Sequence, residues 1–177
     1  MTRRLVVPGG LYAILDESLV AGGDWPAAAA KLLRAGAGLI QLRAKSLPAG
    51  RMLQAARAVA AECRRFGALF IVNDRADVAL LADADGVHVG QDDIPPEACR
   101  KVLGEEALVG LSTHSMEEAE AAVRAGVDYI GYGPVYETGT KPAARAPRGP
   151  ERLAEVVRRV PVPVVAIGGI TPGNIAE

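Results

Sequence analysis

Six short polar clusters recur along this chain, each directly after a run of apolar residues. They are Gln41-Leu42-Arg43-Ala44-Lys45, Asn73-Asp74-Arg75, His88 to Asp93, Ser112-Thr113-His114, the stretch from Tyr132 to Pro142, and Ile167-Gly168-Gly169-Ile170. Taken together they carry the chemistry of phosphorylated ligands and a divalent cation. Asp74 and Asp93 are hard oxygen donors, and Mg2+ typically takes one or two carboxylates plus phosphate oxygens and water. Arg43, Lys45 and Lys141 can neutralise a pyrophosphate, and Asn73 can donate to it. Thr138, Gly139, Thr140 and Gly168-Gly169 offer hydroxyls and approachable backbone N–H groups, the ingredients of a phosphate nest.

Each cluster also has an ordinary explanation. Asn73-Asp74 could cap a helix. Gln91 to Asp93 could be a solvated turn, Glu137 to Pro142 a surface loop, and Gly168-Gly169 a tight turn. The argument for a site is recurrence at one end of successive units. Separate caps need no cations after one unit, carboxylates after the next two and a hydroxyl-glycine-lysine loop later on.

The elements that must position these groups are a repeated strand and helix. Candidate strands are Leu11–Leu15, Leu39–Arg43, Leu69–Asn73, Gly86–Val89, Leu108–Ser112, Asp128–Tyr132 and Pro163–Ile167. Helical periodicity covers Trp25–Ala35, Ala49–Phe66, Ala76–Ala82, Pro96–Leu103, Met116–Ala125 and Pro150–Arg159. In Ala49–Phe66 the residues Met52, Leu53, Ala56, Val59, Ala60 and Cys63 form one apolar stripe. Ser115, with Glu117 and Glu118 behind it, reads as an N-cap with acids suited to the helix dipole. The nearly continuous apolar strands suit a parallel sheet covered on both faces. A mean spacing of about 25 residues per unit fits a (β/α)8 TIM barrel, whose active residues sit at the carboxyl ends of the strands. An open doubly wound sheet is the competing topology, but no GxGxxG follows the first strand.

Composition limits the alternatives. The 177 residues carry a net charge of -1, with 50% hydrophobic and 4% aromatic residues. That supports one α/β domain over residues 1–177. The balanced charge and scarce aromatics argue against a nucleic-acid partner. No stretch matches a signal peptide or a membrane span, so a cytoplasmic protein without a membrane partner is expected. Cys63 and Cys99 read as buried thiols.

The ordered set Gln41 to Lys45, Asn73 to Arg75, Ala84 to Asp93, Gly110 to Ser115, Asp128 to Tyr136, Thr138 to Lys141 and Ala166 to Ile170 resembles the thiamine-phosphate synthase family over essentially the whole chain. The resemblance implies a TIM barrel that joins 4-amino-2-methyl-5-hydroxymethylpyrimidine diphosphate to hydroxyethylthiazole phosphate. The products would be thiamine phosphate and pyrophosphate. By motif, it implies that Asp74 and Asp93 hold one Mg2+ per subunit. Arg43, Lys45, Asn73 and Lys141 would contact the diphosphate, with Arg43, Lys45, Lys141 and Ser112 catalytic. Tyr12, Gln41 and Ser112 would line the pyrimidine pocket. Thr138, Thr140 and Gly169 would bind the thiazole phosphate. Barrels of this family are often dimers or higher, so a homo-oligomer is a further expectation.

Two histidines are weighed separately. His88, inside an apolar strand, reads as a packed, hydrogen-bonded residue. His114 reads as ordering its loop, against a proton-transfer role as in the related thiazole tautomerases, which tend to lose the metal and diphosphate residues kept here. A tautomerase is therefore the second reading, and a non-catalytic binder of thiamine phosphates the third. Seven strands are visible, and the spacing places an eighth at roughly position 188. The barrel is thus expected to be incomplete at its C-terminal side, and Ala143–Arg148 is a candidate mobile segment beside Lys141.

Overall fold

Strict alternation along the strands decides which side chains face the helices and which face the sheet's concave side. The computed structural model describes residues 6–139 and 146–177. Seven parallel strands follow one another in chain order: β1 (Tyr12–Asp16), β2 (Leu39–Arg43), β3 (Leu69–Asn73), β4 (Gly86–Val89), β5 (Leu108–Thr113), β6 (Tyr129–Tyr132) and β7 (Val164–Ala166). Helices cross between them: α1 (Trp25–Arg34), α2 (Ala49–Phe66), α3 (Ala76–Leu81), α4 (Pro96–Leu103), α5 (Met116–Arg124) and α6 (Gly149–Arg159).

One residue set, including Ile40, Leu42, Phe70, Val72, Val87, Val89, Val109, Leu111 and Ile130, is buried against helix residues such as Ala56, Val59, Cys63, Ala79, Cys99 and Ala119. The alternate set forms a second, smaller cluster of Leu39, Ile71, Leu108 and Tyr129. The sheet therefore has an apolar outer face under the helices and an inner face with its own plug. It curls strongly enough for β1 to meet β6, because the hydroxyls of Tyr12 and Tyr129 lie 3.0 Å apart. That is the curvature of a (β/α)8 barrel wall, here in seven strands.

The helices follow local rules. The α2 stripe is buried at Met52, Ala56, Val59, Ala60 and Cys63, and the helix stops at Gly67, which adopts the left-handed conformation (φ 67°) that glycine enters without steric cost. Ser115 caps α5 by accepting from the Glu118 N–H at 3.2 Å, while the Glu118 carboxylate accepts from the His114 N–H at 2.7 Å. The pair behaves as a capping box displaced by one residue. Among the described residues no helix is long and apolar enough to cross a membrane.

One boundary differs from the sequence reading in a way that matters, and one agreement does too. β1 runs one residue further, to Asp16, because Asp16 pairs in register with Arg43. Helix α3 begins after Arg75, with no side-chain cap. Asn73 and Asp74 are therefore not its caps, and the ordinary explanation of those two residues falls away. Thr140, Lys141 and the first half of the expected mobile segment, residues 143–145, lie outside the described residues.

Candidate active site

The carboxyl ends of β2, β3, β4 and β5 bring Arg43, Asn73, His88 and Ser112 to neighbouring positions of one rim. Asn73 is in register with His88, and Ser112 lies two residues beyond His88's partner Gly110. Two clusters are built there.

The first is charged. The Lys45 ammonium lies 2.9 Å from the Asp74 carboxylate, with Lys45 half exposed and Asp74 largely covered. Burial pushes the Asp74 carboxyl above the usual range. Lys45 opposes that shift, and the adjacent Asp93 carboxyl adds to it. Two carboxyl groups in contact are costly to keep ionised together. Asp74 is also held in the left-handed conformation at φ 64°, which aspartate tolerates better than most residues. Its N–H is fixed by the His88 carbonyl at 2.8 Å. Asp93 is exposed at a turn and accepts from the Gly90 N–H at 2.7 Å. Gln91 in the same turn donates to the Ser112 carbonyl at 2.7 Å. The turn is thus solvated, as its ordinary reading has it, and is also tied to the β5 end of the rim.

Arg43 is not unopposed. It forms an ion pair with Asp16, whose carboxyl also accepts from the Ser18 hydroxyl at 2.6 Å and the Ser18 N–H at 3.0 Å. Burial raises the Asp16 carboxyl, but the Ser18 bonds and Arg43 outweigh it and hold it below the usual range. Asp16 was missed in the sequence, where the first strand ended at Leu15. The signal was a carboxylate immediately after an apolar run, the same signal that marked Asn73-Asp74.

The second cluster is uncharged and lies on the inner face. The Gln41 amide donates to the Tyr12 hydroxyl at 2.7 Å, and Tyr12 meets the Tyr129 hydroxyl at 3.0 Å. Tyr129 meets His88 Nδ1 at 3.1 Å, and His88 Nε2 meets the Ser112 hydroxyl at 3.0 Å. The expected packed, hydrogen-bonded His88 is what the structure shows. Tyr12 reaches the rim through Gln41. Tyr129 was not singled out in the sequence. Gly110 makes room for it, since a Cβ there would come within 2.2 Å of the Tyr129 ring.

The loops after β6 and β7 are knitted together. The Val135 N–H bonds the Ile167 carbonyl at 2.9 Å, and the Tyr136 N–H bonds the Gly168 carbonyl at 3.0 Å. Gly169 has φ 66°, and a Cβ on it would sit 2.3 Å from the Glu137 carbonyl oxygen. This packing seats Gly169 against the loop that carries half-buried Thr138. His114 turns its Nδ1 to the Gly133 carbonyl, so the side chain ties the β5 end to the β6 loop.

The donor set can be tested against a metal. Among the described residues no group of three or more His, Cys, Asp or Glu side chains forms a metal cage. Two adjacent carboxylates, with Asp74 shifted upward by burial and then by its neighbour, suit a hard cation that draws its remaining ligands from substrate phosphate and water. They do not suit a fully protein-held ion.

The comparisons with known proteins identify the family and the fold. Residues 11–177 match the sequence profile described as thiamine monophosphate synthase. The thiamine-phosphate synthase of Anaeromyxobacter dehalogenans is 48% identical over 168 residues, covering 95% of this chain and 73% of the relative. A thiamine biosynthesis bifunctional protein of Symbiobacterium thermophilum is 49% identical over 174 residues, or 96% of this chain, which spans only 36% of that longer protein. Among solved structures, a thiamine phosphate pyrophosphorylase from Pyrococcus furiosus superposes with a TM-score of 0.83 at 39% identity, covering 92% of this chain and 76% of that one. A 3-dehydroquinate dehydratase from Geobacillus kaustophilus, at 14% identity and a TM-score of 0.62, shares the fold alone. The family is thus settled by profile, sequence and shape together: this chain belongs to the thiamine monophosphate synthase family.

Proposed function

We propose that this chain carries its family's synthase activity, joining the aminopyrimidine diphosphate to the thiazole phosphate with release of pyrophosphate. The observation that carries the reading is the gathering of Asp74, Asp93, Lys45, Asn73 and Arg43 at one rim, beside the uncharged cluster that ends in Gln41 and Ser112.

The reaction needs no protein nucleophile. Departure of diphosphate leaves a cation on the pyrimidine methylene, stabilised by the electron-rich ring, and the thiazole nitrogen captures it. The protein's task is to stabilise charge growing on the leaving group and to hold the nitrogen in line. Arg43, Lys45 and Lys141 supply positive charge toward the diphosphate, and Asn73 supplies an amide donor. Asp74 and Asp93 are the residues to hold Mg2+, whose contribution is to neutralise the diphosphate oxygens. Gln41 and Ser112 address the pyrimidine edge, with Tyr12 behind Gln41. Thr138, Thr140 and the Gly169 backbone receive the thiazole phosphate. A cytoplasmic setting and a homo-oligomeric assembly accompany this reading.

The tautomerase alternative needs neither adjacent carboxylates nor Lys45. The His114 ring is engaged with the Gly133 carbonyl, which supports its loop-ordering role. One assay separates the readings. Purified protein given both substrates should form thiamine phosphate and release pyrophosphate only when Mg2+ is present. Thiazole isomerisation without pyrophosphate release would identify the tautomerase, and tight product binding without turnover would identify the binder.

A further inference from the structure

The uncharged cluster has a property that its separate contacts do not show. Each phenol carries one proton, and a neutral imidazole carries one. Burial drives both tyrosines upward, with Tyr12 also bonded to Tyr129 and Gln41, so both stay protonated at any working pH. With His88 as the neutral imidazole, the five groups on β1, β2, β4, β5 and β6 share a fixed number of protons along one line. The Gln41 amide N–H donates to Tyr12, so the Tyr12 proton must go to Tyr129. The Tyr129 proton then goes to His88 Nδ1. His88 must carry its own proton on Nε2 and donate it to Ser112. The Ser112 hydroxyl is left to donate outward, and the Gln41 carbonyl oxygen is left to accept. No single link can reverse without setting two donors or two lone pairs against each other in a buried site, where such a mismatch is costly.

We propose that Tyr129 and His88 are positioning residues that lock Gln41 and Ser112 into one acceptor-and-donor pattern, set for the amino and ring-nitrogen edge of an aminopyrimidine. This rests on the synthase reading for the ligand. The proton order itself does not. The ring with an oxo group in place of the amino group presents the opposite pattern, an acceptor oxygen beside a donor N–H. To accept it, all five groups must turn over together. A site that fixes hydrogen-bond polarity in this way discriminates strongly between analogues of the same shape.

Two measurements test the proposal. The first reads the His88 tautomer in the wild-type protein by 15N NMR, without substrate or turnover. The expected signature is a protonated Nε2 and an unprotonated Nδ1, with Tyr129→Phe mixing the two tautomers. A wild-type His88 protonated at Nδ1 overturns the proposal whatever the enzyme does. The second compares kcat/KM for the amino and oxo pyrimidine diphosphates. Tyr129→Phe should lower the preference for the amino form at least tenfold, raise KM for that substrate and leave KM for the thiazole phosphate unchanged. His88→Gln, whose amide can accept from Tyr129 and donate to Ser112, should keep more of the preference than His88→Ala. An unchanged preference in Tyr129→Phe, with both substrates slowed equally, overturns the proposal. Absence of turnover in the wild type would instead sink the synthase reading, and the NMR result would still decide the proton order.

Discussion

The two ends of the sheet use carboxylates in opposite ways. At the amino end, Asp85 and Asp128 stand immediately before β4 and β6. Each reaches back to the second residue of the preceding strand. Asp85 accepts from the Phe70 N–H at 2.7 Å and Asp128 from the Val109 N–H at 2.8 Å. Asp128 also faces the Arg100 guanidinium at 2.6 Å, in a pair that is largely buried on both sides. These carboxylates staple neighbouring units by accepting from backbone and, for Asp128, from Arg100 as well. At the carboxyl end, Asp74 meets another carboxyl, sits on a left-handed backbone and has an exposed lysine for its counter-charge. That end holds charge its own residues compensate only in part, the arrangement that the proposed cation and diphosphate would complete. Stability is concentrated at one end of the strands and reactivity at the other, the division expected of a barrel.

The sharpest way to break this comparison is at the stable end. Asp128→Ala leaves a buried guanidinium without its carboxylate and strands a β5 amide. Breaking such a pair costs about 3 kcal/mol, so the melting temperature should fall by about 6–12 °C. The folded fraction should keep the wild-type turnover number. A large loss of kcat at a temperature where the variant is fully folded would show that the amino end also serves the reaction.

The mirror experiment is Asp74→Asn. Removing one well-placed electrostatic group commonly costs about 3–4 kcal/mol of transition-state stabilisation, roughly 100- to 1,000-fold in rate. Turnover at saturating Mg2+ should fall by that amount while the melting temperature stays at or slightly above the wild-type value. Wild-type-like turnover would remove Asp74 from the site. A milder version is Lys45→Met, which keeps the aliphatic stem and deletes the charge. It should raise KM for the diphosphate substrate and leave stability within about 1 kcal/mol, since exposed ion pairs contribute little.

Much of this was readable before any coordinates, for identifiable reasons. The α2 stripe from Met52 to Cys63 and the apolar run Leu39–Arg43 carry strong periodicities, and the structure keeps both ranges. Asp74 and Lys45 were legible as residue types at segment ends. Their pairing was not, because it depends on how β2 and β3 splay at the rim. Asp16 was lost to a one-residue boundary error, and with it the partner of Arg43. The line from Gln41 to Ser112 was legible only in part: resemblance grouped Tyr12, Gln41 and Ser112, and His88 read as hydrogen-bonded, but neither Tyr129 nor the connections could be read. Tyr12 and Tyr129 are 117 residues apart and meet only because the sheet curls, while along its own strand Tyr129 looks like any apolar inner-face residue. The aspartate staples were hidden similarly, since a lone Asp before a strand carries no local sign of which amide it will reach.

The smallest effect sharpens the comparison within the rim itself, because Asp16 and Asp74 are shifted in opposite directions. Asp74 titrates higher folded than unfolded, so its favourable contribution is complete below the unfolded pKa and is lost as pH rises through the folded value. Asn mimics the protonated form. In the presence of a chelator, Asp74→Asn should therefore be more stable than wild type near neutral pH, and the gap should close as the medium is acidified. Asp16 titrates lower folded than unfolded, so its contribution is present above the unfolded pKa and is lost as pH falls through the folded value. Asp16→Asn should cost stability at neutral pH and nothing in strong acid. Urea midpoints at a series of pH values measure both, with differences of at most about 1 kcal/mol expected for such partly solvated charges. If both variants moved the midpoint in the same direction at neutral pH, the two carboxylates would be playing one role. The separation between a carboxylate that fixes Arg43 at the rim and one proposed to await a cation would then be wrong.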